Sequence, residues 1–172
     1  SCVNPYRPWN FYDIKGVETF IQGKLNLGKM MNSRALLYAS ATNIESGQSE
    51  LLDVKDGNII ARIMASSTPA VGWNSFVQIG NKKYMDGEIS SPLPIREVYR
   101  LFLPTHVLII LNRPFGQTHP SLPPWLKNLG EIFMKLYNPT LSSCYSNWNS
   151  NYAASLIAVE SLAQKIPIGV IS

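Results

Sequence analysis

The run His106-Val107-Leu108-Ile109-Ile110-Leu111 limits the folds open to this chain more than any other stretch. It lacks polar alternation, so it predicts a strand apolar on both faces, the kind found inside a parallel sheet flanked by helices. A second aliphatic strand is expected over residues 166–171. Segments of helical spacing lie between and before these strands. One covers residues 14–27, with Ile14, Val17, Phe20, Ile21 and Leu25 in register and Gly16 and Gly23 weakening it. Others cover residues 95–102, 125–137, with Leu126, Leu129, Ile132, Phe133 and Leu136 on one face, and 151–164. Strands alternating with helices predict an α/β fold with a largely parallel sheet and flanking helices. At 172 residues the chain has the length of a single domain.

Punctuation residues refine this outline. Residues 34–41 are expected to form a strand buried on both faces, turned at Ser46-Gly47 into an antiparallel or irregular return at residues 50–53. Asp56-Gly57-Asn58 signals a helix start before Ile59, Ile60, Ile63 and Met64. Phe76-Val77-Gln78-Ile79 and residues 82–85, joined by Gly80-Asn81, read as a hairpin. Asn138-Pro139-Thr140 reads as a break between helices. Residues 1–10, with Pro5, Pro8, Tyr6 and Trp9, read as an irregular connection pinned by aromatic side chains.

The chemistry concentrates at Asp86-Gly87. The hairpin reading puts Asp86 where a strand ends, and Gly87 allows a sharp turn and the close approach of another backbone or a ligand. Ser90-Ser91-Pro92-Leu93-Pro94 then prevents a regular element from following at once. An aspartate-glycine pair after a strand is most often a plain turn, so the weight rests on the surrounding segments.

Those segments are Ala65-Ser66-Ser67-Thr68-Pro69, then Ile79-Gly80-Asn81-Lys82-Lys83-Tyr84-Met85-Asp86-Gly87, then Pro92-Leu93-Pro94-Ile95, preceded by Leu36-Leu37-Tyr38-Ala39-Ser40-Ala41-Thr42-Asn43 and Ser46-Gly47. In order and spacing, from about residue 34 to residue 112, they resemble the patatin-like phospholipase family. The resemblance implies a three-layer α/β domain and a lipid acyl hydrolase working through a serine-aspartate dyad without histidine. Asp86 stands at the family's general base and Gly87 at its supporting motif residue, and backbone N–H groups would stabilise the oxyanion. Trp73 and Phe76 are candidates for the substrate groove, and with Tyr84 and Met85 would line an apolar groove in a binding relative; the alternative for Phe76 and Met85 is the core side of the hairpin. The substrate class implied is a lipid or another acyl ester. Residues 1–172 contain no G-x-S-x-G elbow and no glycine-rich oxyanion sequence. The expectation is therefore a partial patatin-like domain, its C-terminal segment, which supplies the base but not the serine and is inactive alone. Glu88 stands where the family has Gly or Ala, and a second carboxylate there is expected to raise the pKa of Asp86 or crowd the oxyanion.

Two rival readings accompany this one. A Ser-His-Asp hydrolase would use His106 or His119. A non-catalytic relative with a decayed dyad would bind lipid or protein, and Glu88 is the feature that suggests it. Composition excludes less. The net charge of +4 rests on scattered Lys and Arg, with Lys82-Lys83 the one adjacent pair, which gives no nucleic-acid footprint and is compatible with weak attraction to an anionic lipid surface. Cys2 and Cys144 fit no metal spacing, there is no N-x-S/T sequon, and no cofactor or metal is called for. No apolar run reaches the roughly 20 residues of a membrane-spanning helix, so a cytoplasmic or peripheral-membrane setting is favoured. If part of the domain lies elsewhere, the strands at residues 34–41 and 106–111 are expected to expose edges and to dimerise through them.

Overall fold

In a computed structural model, which describes residues 14–69, 76–117 and 123–172, the chain is a mixed α/β protein. Strands β1 (Tyr38–Asn43), β2 (Ser49–Asp53), β3 (Val77–Ile79) and β4 (Lys82–Asp86) form an antiparallel sheet in the order β2-β1-β4-β3. Strands β5 (Val107–Ile110) and β6 (Ile168–Ile171) form a separate parallel pair. The helices are α1 (Ile14–Lys24), α2 (Leu27–Asn32), α3 (Ile59–Ala65), α4 (Ile95–Phe102), α5 (Pro124–Tyr137), α6 (Pro139–Ser146) and α7 (Trp148–Ala163).

A largely parallel sheet was expected, and among the described residues only β5 and β6 run parallel. Connection length is the reason. Residues 44–48 join β1 to β2, and Gly80-Asn81 joins β3 to β4 with Gly80 at φ +59°. Such links close antiparallel neighbours, whereas a parallel pair needs a crossover of a dozen residues or more. Residues 111–167 provide one between β5 and β6, and it contains α5, α6 and α7.

Alternation along β4 builds two cores on opposite faces of the antiparallel sheet. Tyr84 points to the side where Ala41, Leu52 and Ala65 of α3 are buried, with Val77 and Ile79 packed against them. Met85 points to the other, where it meets Ile44, Ile89, Met134 of α5 and Leu141 and Tyr145 of α6. A third core joins Ile95 of α4 and Ala158, Val159 and Leu162 of α7 to the inner side chains Val107, Ile109 and Ile168 of the parallel pair. The outer side chains Leu108 and Ile110 are exposed, so β5 is covered on one face and not on both. The strand expected over residues 34–41 begins at Tyr38, Leu36 is exposed, and β1 lies inside the sheet with a partner on each side instead of presenting an edge.

The break expected at Asn138-Pro139-Thr140 is a helix junction. Proline is suited to the first position of a helix, where its missing N–H would have no intrahelical partner. Asn138 supplies the cap, its Oδ1 accepting from the Thr140 N–H at 2.7 Å, while its Nδ2 donates to the Glu45 carbonyl in the β1–β2 turn. Asn58 caps α3 in the ordinary way, accepting from the Ala61 N–H at 3.1 Å. Asn58→Ala should therefore cost about 1 kcal/mol. Asn138→Ala, which also removes the bond to the carbonyl of exposed Glu45, should cost about 1.5 kcal/mol or more. Urea unfolding of the two variants measures the difference, and equal losses would mean that the bridge to Glu45 adds nothing.

Candidate functional site

Register assembles the site. Because β1 and β4 are antiparallel with Ala41 opposite Asp86, the strand after Leu37 is laid beside the strand that carries the aspartate. The Thr42 hydroxyl donates to the Asp86 carbonyl at 2.7 Å. Its single proton is thereby committed, so in the 2.9 Å contact between Thr42 Oγ1 and Ser90 Oγ the serine is the donor. The Asp86 N–H donates to the Thr68 carbonyl at 2.9 Å, and Thr68 is itself fully buried with its hydroxyl on the Met64 carbonyl. Three sequence segments that are far apart in the chain therefore meet at Asp86: residues 38–43, residues 65–69 and the hairpin.

Gly87 begins a single 3-10 turn, Gly87–Ile89, and it is buried. A Cβ at this position would lie 2.4 Å from the Ser40 carbonyl oxygen and 2.6 Å from its Oγ. The close approach expected for this glycine is to the backbone of β1. The tight turn directs the Glu88 N–H at Asp86 Oδ1, 2.9 Å away. Asp86 Oδ2 accepts no hydrogen bond among the described residues. Burial pushes the Asp86 carboxyl above its ordinary value, the Glu88 N–H opposes that rise, and the Glu88 charge adds to it.

Glu88 is held by an ion pair to Arg113, Nη2 to Oε1 at 3.0 Å, and the Arg113 guanidinium lies 5.7 Å from the centre of the Tyr152 ring. Arg113 follows the C-terminal end of β5, so the aspartate turn sits beside the carboxyl end of a parallel strand. Ligand crevices open at that end in α/β sheets. A cavity of about 190 Å³ adjoins the turn and is lined by Ser90, Ser91, Leu93, Arg96, Asn151 and Ser155 among others. Asn151 reaches from α7 to donate to the Ile89 carbonyl at 3.2 Å, which ties the turn to that helix.

A second polar group shares the sheet face of Asp86. Glu50 lies opposite Ala41 on the far side of β1, so Asp86, Ala41 and Glu50 form a row across three strands, with the Cα atoms of Asp86 and Glu50 about 10 Å apart. Glu50 accepts from Asn43 Nδ2 at 2.8 Å, the Tyr84 hydroxyl at 2.7 Å and Lys82 Nζ at 3.1 Å. Burial alone would raise its pKa, but the bonds from Tyr84, Asn43 and Lys82 prevail and the net shift is downward. Burial and then the Glu50 bond push the Tyr84 hydroxyl well above the usual phenol range. This cluster is saturated with partners and reads as structural.

The remaining candidates fall elsewhere. Phe76 packs against the core of Met85 and Met134, edge-on to Tyr137 at 6.4 Å, with Lys83 Nζ 4.9 Å from its ring centre. Met85 is fully buried in that core. Trp73 and His119 lie outside the described residues. His106 is exposed at the N-terminal end of β5, against the Thr105 hydroxyl, so a four-residue strand of about 13 Å separates it from the aspartate end. Thr42, Ser90, Arg113 and Asn43 had no role in the sequence reading, because their contacts depend on pairing between segments up to 48 residues apart. No group of three His, Cys, Asp or Glu side chains among the described residues is placed to hold a metal ion.

The raised pKa of Asp86 has a definite sign in stability. The group favours the folded state while it is protonated, and that contribution is lost as pH rises through its folded pKa. Asp86→Asn keeps an acceptor for the Glu88 N–H and removes the charge, so it should melt above the wild type at pH 7, with the gap closing as pH falls below the carboxylate range. Thermal melts from pH 3 to 8 check this, and a variant less stable at pH 7 would show that the charge stabilises the fold. Compared with known proteins, the chain matches no family model, no curated protein and no solved structure.

Proposed function

We propose that this chain carries the base-bearing part of a serine acyl hydrolase of the patatin-like kind, with Asp86 as general base. The observation that carries this reading is the state of the Asp86 carboxylate. One oxygen is oriented by the Glu88 N–H, the other accepts nothing among the described residues, and burial has raised the proton affinity of the group. A partly buried carboxylate with raised proton affinity, fixed on a rigid strand end, is the kind of group found where a proton has to be moved. Glu50, two strands away across β1, is the contrast: similar chemistry, well supplied with donors.

In the proposed reaction a serine hydroxyl attacks an ester carbonyl and passes its proton to Asp86, and the protonated Asp86 then donates to the departing alkoxide. Water repeats the exchange to release the acyl group. The chain has no G-x-S-x-G, so this reading places the serine on polypeptide outside residues 1–172, and these residues alone are inactive. It belongs to the same proposal that the antiparallel sheet, layered between α3 and the α5–α6 pair, is part of a patatin-like three-layer domain. The substrate is a lipid or another acyl ester, met at a peripheral membrane surface. No cofactor is required.

A second reading, a lipid- or protein-binding relative with a decayed dyad, is favoured by the Glu88–Arg113 pair, which holds a second carboxylate two residues from the base. Hydrolysis of a chromogenic acyl ester by the full-length protein separates the two. Asp86→Asn should lower kcat by about 1,000-fold. His106→Gln should leave kcat unchanged. An Asp86→Asn variant as active as wild type would remove Asp86 from the chemistry.

A further inference from the structure

Helix α5 turns a row of large apolar side chains away from the protein. Trp125, Leu129, Ile132 and Leu136 are 67, 43, 59 and 72% exposed. Spacings of four, three and four residues put them on one stripe about 60° wide. Over two heptads this is the alternating a and d pattern of a coiled-coil seam, narrower than the apolar face of a helix lying on a core or on a bilayer. The opposite side of α5 is already committed. Gly130 and Met134 are buried, and a Cβ at Gly130 would fall 2.5 Å from the Tyr145 hydroxyl of α6. The two helices are as close as glycine permits, so α5 cannot roll to bury its outer stripe.

We propose that α5 pairs with α5 of a second copy of this chain, antiparallel, about a two-fold axis passing between Gly130 and Glu131. In that register Trp125 meets Leu136 of the second copy and Leu129 meets its Ile132, so the stripe is its own complement, as a two-fold interface requires. Lys127 and Glu131 lie behind the stripe, 3.9 Å apart, and Lys135 is the one charged residue of the helix beside it. The two-fold axis brings like flanks together, so Lys135 lies beside Asn128 of the second copy and the two ammonium groups are about 13 Å apart along the axis, more than a Debye length at physiological salt. The two helix dipoles then run in opposite directions, which favours this pairing over a parallel one. The four side chains offer on the order of 400 Å² of surface per copy, and with Leu126 and Tyr137 the pair removes about 1,000 Å², the lower bound of a specific interface. The pairing does not depend on the enzymatic reading.

Sedimentation velocity of the full-length protein between about 1 and 100 μM tests it. Wild type should dimerise reversibly. Ile132→Glu should weaken the dimer by about thirtyfold or more, with an unchanged circular dichroism spectrum because the site is exposed. Leu129→Lys should do the same. An equimolar mixture of the two variants should recover the dimer, since the antiparallel register sets Glu at 132 against Lys at 129. A wild type that stays monomeric, whether the stripe is covered by other polypeptide or by added lipid vesicles, overturns the proposal. So does a dimer that survives Ile132→Glu, or a mixture that does not recover.

Discussion

The pairing of β1 with β4 is the constraint on which the rest of the structure depends. Its register sets Ala41 against Asp86 and Thr42 against Met85. Because side chains alternate, a slip of one residue would send Met85 toward α3 and Tyr84 toward α5 and α6, and both cores would fail together. Two local contacts guard against the slip. The Thr42 hydroxyl binds the Asp86 carbonyl, and Gly87 fits against the Ser40 backbone where no side chain has room. The residues that position the aspartate are thus the same ones that define the sheet.

Within that sheet two carboxylates on one face are treated in opposite ways. Glu50 receives an amide, a phenol and an ammonium group, and its pKa falls despite burial. Among the described residues Asp86 receives one backbone N–H, and its pKa rises. Where the surroundings drive two acidic groups apart in this manner, the undersatisfied one is suited to exchanging a proton and the saturated one to holding strands together. Arg113 belongs to the same economy of charge, offsetting Glu88 from the far side of the turn.

Elements whose signals are local were legible in the sequence. The hairpin around Gly80, the helix after Asn58, α4, α5 and both aliphatic strands lie close to where spacing and turn residues put them. Two errors have physical causes. The aliphatic run at β5 was taken for a strand covered on both faces, but aliphatic composition does not say what lies beyond Leu108 and Ile110, which are exposed. Pro139 was read as a break, although proline at a helix start is an entry signal once Asn138 is recognised as its cap. For the site, Asp86 and Gly87 were visible because the turn chemistry is contiguous. Thr42, Ser90 and Arg113 were invisible because their meaning lies in pairings between segments far apart in the chain, and Asn43 because its bond to Glu50 depends on the register of β1 with β2. Phe76 was offered as a groove residue, with the core side of the hairpin as the alternative, and its ring packs on the core of Met85.

The two sheets differ in how far along the chain their partners lie. β1 finds β2 across five residues and β3 finds β4 across two, whereas β5 meets β6 only after α5, α6 and α7 have been traversed. Loop closure makes distant pairings slow, so the β1–β2 and β3–β4 hairpins should form early, and the β1–β4 and β5–β6 pairings should follow. Amide exchange during refolding would then protect the two hairpins before Ile109. The ion pair from Arg113 to Glu88, which joins the two regions, would be a late event in folding, and the charge environment of Asp86 would be completed only when the chain has reached its final strand.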